Sequence, residues 1–152
     1  MANKKRRIAD KSNDTVKKGN DIAKQAALVS FNFKYLTDNK SFNFEYFSND
    51  MRNRHDAYEA LCKRLQELSC FGIDKLMYMQ KTQGCESIPY SDFDNSFKSV
   101  LDKIEVVSKD SKLWIFRFSS GNYRIIAKSN VLDGNILYIV GFDFDHSAYD
   151  HG

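Results

Sequence analysis

The chain has 152 residues, 42% hydrophobic and 14% aromatic, enough to bury a sizeable core in one domain. A single proline, Pro89, and the lack of Gly/Ser-rich or repeated stretches exclude a flexible internal linker and a repeat architecture. The formal charge of +3 is uneven: residues 1–24 hold eight Lys or Arg against three Asp, so that segment is +5 and the remainder −2.

No run approaches the ~20 apolar residues of a membrane span, so no membrane partner is expected. The basic start is followed by Asp, Asn and Lys, unlike a secretory leader. Cys62, Cys70 and Cys85 are odd in number and lack a CxxC spacing, which points away from a disulfide framework or zinc knuckle. A cytoplasmic protein with reduced thiols is expected, with Cys62 a small buried hydrophobe on an apolar helix face.

In chain order, residues 1–26 are rich in charge and poor in large apolar residues, the composition of a disordered arm or a frayed helix. Such an arm either grips nucleic acid or an acidic partner, or serves as a solvated leader. Residues 27–152 read as one α+β domain. In Val29 to Tyr35 apolar and polar residues alternate, and Phe42 to Tyr46 repeats the alternation after a Thr37-Asp38-Asn39-Lys40 turn, which predicts an antiparallel hairpin. Phe31, Phe33, Tyr35, Phe42, Phe44 and Tyr46 would then share one face. Ser48-Asn49-Asp50 offers caps, and Tyr58, Leu61, Cys62, Leu65 and Leu68 follow at helical spacing. Gly72 interrupts that helix, and Ile73, Leu76, Met77 and Tyr78 suggest a second, shorter one. Residues 80–95 read as polar and turn-rich. Phe97, Val100, Leu101 and Ile104 fit either a short helix or an extended connector.

The last forty residues carry the strongest pattern. Leu113 to Phe118 is apolar except for Arg117, the mark of a strand buried on both faces. Turns at Ser119 to Asn122 and at Asp133-Gly134 lead into Tyr123 to Lys128 and Ile136 to Phe144. The expected fold is therefore α+β: an antiparallel sheet of an N-terminal hairpin and a C-terminal three-stranded meander, with two or three helices packed on one face. An aromatic face left uncovered by those helices would suit a homodimer.

A charged residue in an apolar strand needs a partner or water. Arg117, Arg124 and Lys128 could converge on a sheet face and bind phosphate, or Arg117 could pair with a nearby Asp. His146 and Tyr149 are candidates for proton transfer, although Tyr149 could simply pack its ring against the sheet. Asp143, Asp145 and His146 could hold Mg²⁺ or Mn²⁺, or cap and protect a strand end by charge.

Phe116-Arg117-Phe118, Tyr123-Arg124-Ile125-Ile126, Ile139-Val140-Gly141 and the His146 to Tyr149 ending together resemble the C-terminal half of RelE/ParE-type toxins, small bacterial proteins that include ribosome-dependent mRNA interferases. The resemblance implies a helical hairpin on a curved antiparallel sheet with RNA against its concave face. It also implies phosphate binding by Arg117 and Lys128, catalysis by Arg124, His146 and Tyr149, and no metal or other cofactor. RNA or the ribosome would be the target and an antitoxin the protein partner. The chain departs from the family in its length, its N-terminal hairpin and its Asp150-His151-Gly152 ending. A second reading is a non-catalytic interaction protein or inhibitor from a mobile element, of anti-defence type, acting on a host or defence protein. The third is a metal-dependent nuclease built on Asp143, Asp145 and His146.

Overall fold

Long apolar runs separated by turn residues fold back on one another, and the end of this chain does so twice. In the computed structural model, which describes residues 28–79 and 81–150, the meander consists of β3 (Lys112–Phe118), β4 (Tyr123–Ser129) and β5 (Ile136–Asp143), paired antiparallel. Ser119, Ser120 and Gly121 turn the chain with φ of 53°, 54° and 84°, a left-handed path that only the glycine adopts without steric cost. The basic arm and its expected disorder lie outside the described residues.

Two further strands, β1 (Ser30–Asn32) and β2 (Cys85–Pro89), complete an open five-stranded sheet in the order β1-β5-β4-β3-β2, and the fold is α+β. The edge strand β2 (Cys85–Pro89) pairs antiparallel with β3. It comes from the stretch read as turns. Its outer edge ends at Pro89, which offers no N–H to a neighbouring strand and so blunts that edge. The opposite edge strand, β1 (Ser30–Asn32), runs parallel to β5.

The expected N-terminal hairpin does not form. Its first arm is reduced to β1 and its second arm is a 3₁₀ turn over Lys40–Phe42 followed by further turns. Short polar side chains take over the backbone there: Asn39 accepts from the Ser41 N–H at 3.0 Å, and Asn43 accepts from Glu45 N–H at 2.8 Å while donating to the Thr37 carbonyl at 3.1 Å. Such local bonds compete with a strand ladder. The six aromatic residues accordingly divide between two cores. Phe31, Phe44 and Tyr46 pack into one, Phe42 and Tyr35 into the other, and Phe33 stays 41% exposed.

Helix α1 (Met51–Leu68) starts where the caps predicted, with Asp50 accepting the Asn53 N–H at 3.1 Å. With α2 (Ile73–Tyr78) it covers one face of the sheet through Ala57, Leu61, Leu68 and Leu76, which meet Phe116, Phe118, Ile125 and Phe142. Cys62 is exposed on α1, contrary to the sequence reading, because the buried stripe runs through Ala57, Leu61 and Leu68 instead. The ambiguous segment is a helix, α3 (Asn95–Leu101), and it lies on the opposite face. Helices therefore cover both faces rather than one, since β3, β4 and β5 are apolar on both sides and each side must be buried. Phe97 of α3 lies so close to β5 that a Cβ on Gly141 would stand 3.0 Å from its ring.

Candidate functional site

Strand alternation sends every second residue of β3, β4 and β5 to the α3 face. Leu113 and Ile115 of β3, Ile126 of β4 and Val140 of β5 fill its apolar part. One row further along, Arg117 stands opposite Arg124, and Arg124 stands opposite Asp143. Like charges facing each other across strands are unfavourable, so this row needs carboxylates to balance it. Asp143 supplies one. Glu86 of β2, opposite Ile115, supplies another on the same face.

The C-terminal segment closes over this polar row. Asp143 is fully buried and accepts the backbone N–H groups of Ser147 at 3.0 Å and Ala148 at 3.3 Å. Asp145 accepts from the same Ser147 N–H at 3.2 Å. The turn these bonds hold sends Tyr149 back under the sheet, bridged to Phe93, where its hydroxyl donates to Glu86 Oε1 at 3.1 Å. Burial pushes the Tyr149 phenol far above its ordinary value; the negative Glu86 adds to this, and a hydrogen bond with Arg124 opposes it. The ring is buried, yet the hydroxyl meets a carboxylate that is 19% exposed and also lies 3.8 Å from the exposed Lys81 ammonium. Arg124 is 7% exposed and donates through Nη1 to the carbonyls of Gly121 and Tyr123. Its buried Nε meets no acceptor among the described residues.

The structure thus gathers Arg124 and Tyr149, adds Glu86, and places Arg117 opposite Arg124 in the strand register. The stretch around Glu86 reads as loop in sequence, because its buried residues Cys85 and Ile88 stand three apart, on opposite faces, and leave no strand alternation to follow. Two predicted residues stand elsewhere. Lys128 is four residues from Arg124, about 13 Å along β4, opposite Tyr138, where burial lowers its ammonium. His146 sits exposed at the tip of the C-terminal turn with φ 62°, whereas Tyr149 is buried. The Asp143 carboxylate is engaged on both oxygens by backbone N–H groups, a capping role. No group of three or more His, Cys, Asp or Glu able to hold a metal ion occurs among the described residues.

Beside the cluster, at the end of the sheet, an open cleft of about 650 Å³ runs between α1, the loop before β2 and the β3–β4 turn. Lys63, Arg64, Arg117, Ser119 and Ser120 are among its walls. Arg117 is half-buried and forms no salt bridge among the described residues, so the predicted pairing with an Asp is not what accommodates it.

Comparison of the chain with protein-family models, with curated proteins and with solved structures gives no match. Among the described residues no helix is long and apolar enough to cross a membrane.

Proposed function

We propose that the chain is a RelE-like, metal-independent endoribonuclease whose centre is Glu86, Tyr149, Arg117 and Arg124. The observation that carries this reading is the convergence of a carboxylate, a phenol and the Arg124 guanidinium from β2, the C-terminal segment and β4 at one end of the sheet, with Arg117 of β3 opposite Arg124 in the strand register. In the step this set suits, the Glu86 carboxylate takes the proton of a ribose 2′-hydroxyl and O2′ attacks the adjacent phosphorus. The P–O5′ bond breaks, and Tyr149 gives its proton to O5′, leaving a 2′,3′-cyclic phosphate and a 5′-hydroxyl. Arg117 and Arg124 offset the charge that builds on the phosphoryl oxygens. Tyr149 carries the proton the acid role needs, and its 3.1 Å contact with Glu86 gives a direct path for returning the proton after each turnover. RNA, free or on the ribosome, is the substrate, and an antitoxin the expected protein partner.

The test is cleavage of RNA, with and without ribosomes, by purified wild type, Glu86→Gln and Tyr149→Phe in the presence of a chelator. Wild type should produce cyclic-phosphate ends, and each variant should lose roughly 10²–10⁴ in rate with its circular dichroism unchanged. Intact RNA with wild type, or full activity in both variants, overturns the reading. The non-catalytic interaction protein draws on Met77 and Tyr78, 56% and 85% exposed at the end of α2. Intact RNA together with stoichiometric capture of one host protein, lost on Tyr78→Ala, would favour it.

A further inference from the structure

We infer that the cleft between α1 and the β3–β4 turn is a second binding site, for the phosphodiester backbone of single-stranded RNA leading away from the scissile bond. The inference rests on the endoribonuclease reading and extends it to a surface outside the reacting groups. Three cations, Lys63 and Arg64 of α1 and Arg117 of β3, line the cleft against one carboxylate, Glu67. Ser119, Ser120 and Gln83 add polar groups to the same walls. A volume of about 650 Å³ is in the range of small-ligand sites.

Lys63 is available at little cost. Lys63 meets Glu59 at 2.8 Å with both side chains more than half exposed, and Arg64 meets Glu67 at 3.0 Å with the carboxylate 63% exposed. The exposed Lys63–Glu59 pair is weak and an arriving phosphate can replace its carboxylate, whereas Arg64 is only 18% exposed. Arg64 is held in position from behind: its Nη2 donates to the Gln83 carbonyl at 3.1 Å and lies 3.8 Å from the Cys85 sulfur. Arg117 ties the two sites together, because it lines the cleft and stands opposite Arg124 in the strand register. The inferred path rounds the end of the sheet at Arg117, from the α3 face that holds Tyr149 to the α1 side where the cleft lies. Contacts of this kind read the backbone and tolerate any base sequence.

The experiment uses the full chain carrying Tyr149→Phe, which binds without cutting, and a labelled oligouridylate titrated at several salt concentrations. Adding Lys63→Gln and Arg64→Gln should weaken binding for every base sequence tried and reduce the slope of log K against log salt by about 1.4, the share of two phosphate contacts on a single strand. Arg64→Lys, which keeps the charge, should preserve the slope. In the chain that retains Tyr149, the Gln pair should raise KM and leave kcat in place. Unchanged affinity and slope in the folded Gln pair overturn the inference while cleavage by wild type stands. Intact RNA with wild type, combined with a reduced slope in the Gln pair, supports the cleft and removes the cleavage reading. A Tyr149→Phe chain that binds no oligouridylate removes the cleft.

Discussion

The two faces of the sheet are built from the same alternating strands and end up chemically different. Against α1 and α2 the face is apolar from end to end, with aromatic rings packed edge to face, such as Phe47 on Phe144 at 4.9 Å and Phe44 on Tyr58 at 5.5 Å. Against α3 the face is apolar for only part of its length and then gives way to Arg117, Arg124, Asp143 and Glu86. Buried charge is costly, so a fold that needed only stability would continue the apolar packing to the end of the strands. The first face holds the fold together. The polar end of the second is where a function has to be sought.

The largest effect that sharpens this contrast is on the first face. Phe116, fully buried, should cost about 3–5 kcal/mol of stability when replaced by Ala, read as a fall in the urea midpoint. A loss no greater than that of a surface substitution would break the claim that this face carries the fold. On the second face the close approach of α3 sets a smaller effect. Gly141→Ala forces the Phe97 ring to give way and should cost about 1–3 kcal/mol in the same measurement. No change would mean that α3 packs more loosely than its contacts indicate.

The smallest effect belongs to the polar end and is a matter of pH. Tyr149 has a folded pKa above its ordinary 10.0, so the unfolded chain gives up that proton first. The stability linked to the group is complete below the ordinary value and is lost as pH rises from there toward the folded value. Tyr46, Tyr90 and Tyr138 are shifted in the same direction, so Tyr149→Phe should reduce the alkaline loss of stability without removing it. An alkaline profile identical to wild type would mean that the phenol is not held in the closed network with Glu86 and Arg124.

The meander and the capped helix α1 were legible because their signals are local. Leu113 to Phe118 is too apolar for anything but a strand buried on both sides, and Asp50 reaches its N–H partner only three residues away. Arg117 is legible for the same reason, as a charge in an otherwise apolar strand. The hairpin was misread because Phe42 to Tyr46 alternates like a strand, while the turn bonds of Asn39 and Asn43 and the burial of Phe42 and Phe44 in separate cores give that segment a better arrangement. Alternation describes a backbone's choice between two sides and is silent on what waits there.

By itself, then, the sequence determined the α+β class, the three strands of the meander and the first two helices, because hydrophobic period and capping act over a few residues. Only the tertiary structure decided that helices cover both faces, that β1 runs parallel to β5, and that Glu86, from a stretch resembling a loop, meets Tyr149 from 63 residues further along the chain. Contacts of that range depend on which surfaces are left to bury after the local elements have formed, a property of the packed molecule that no short window of sequence contains.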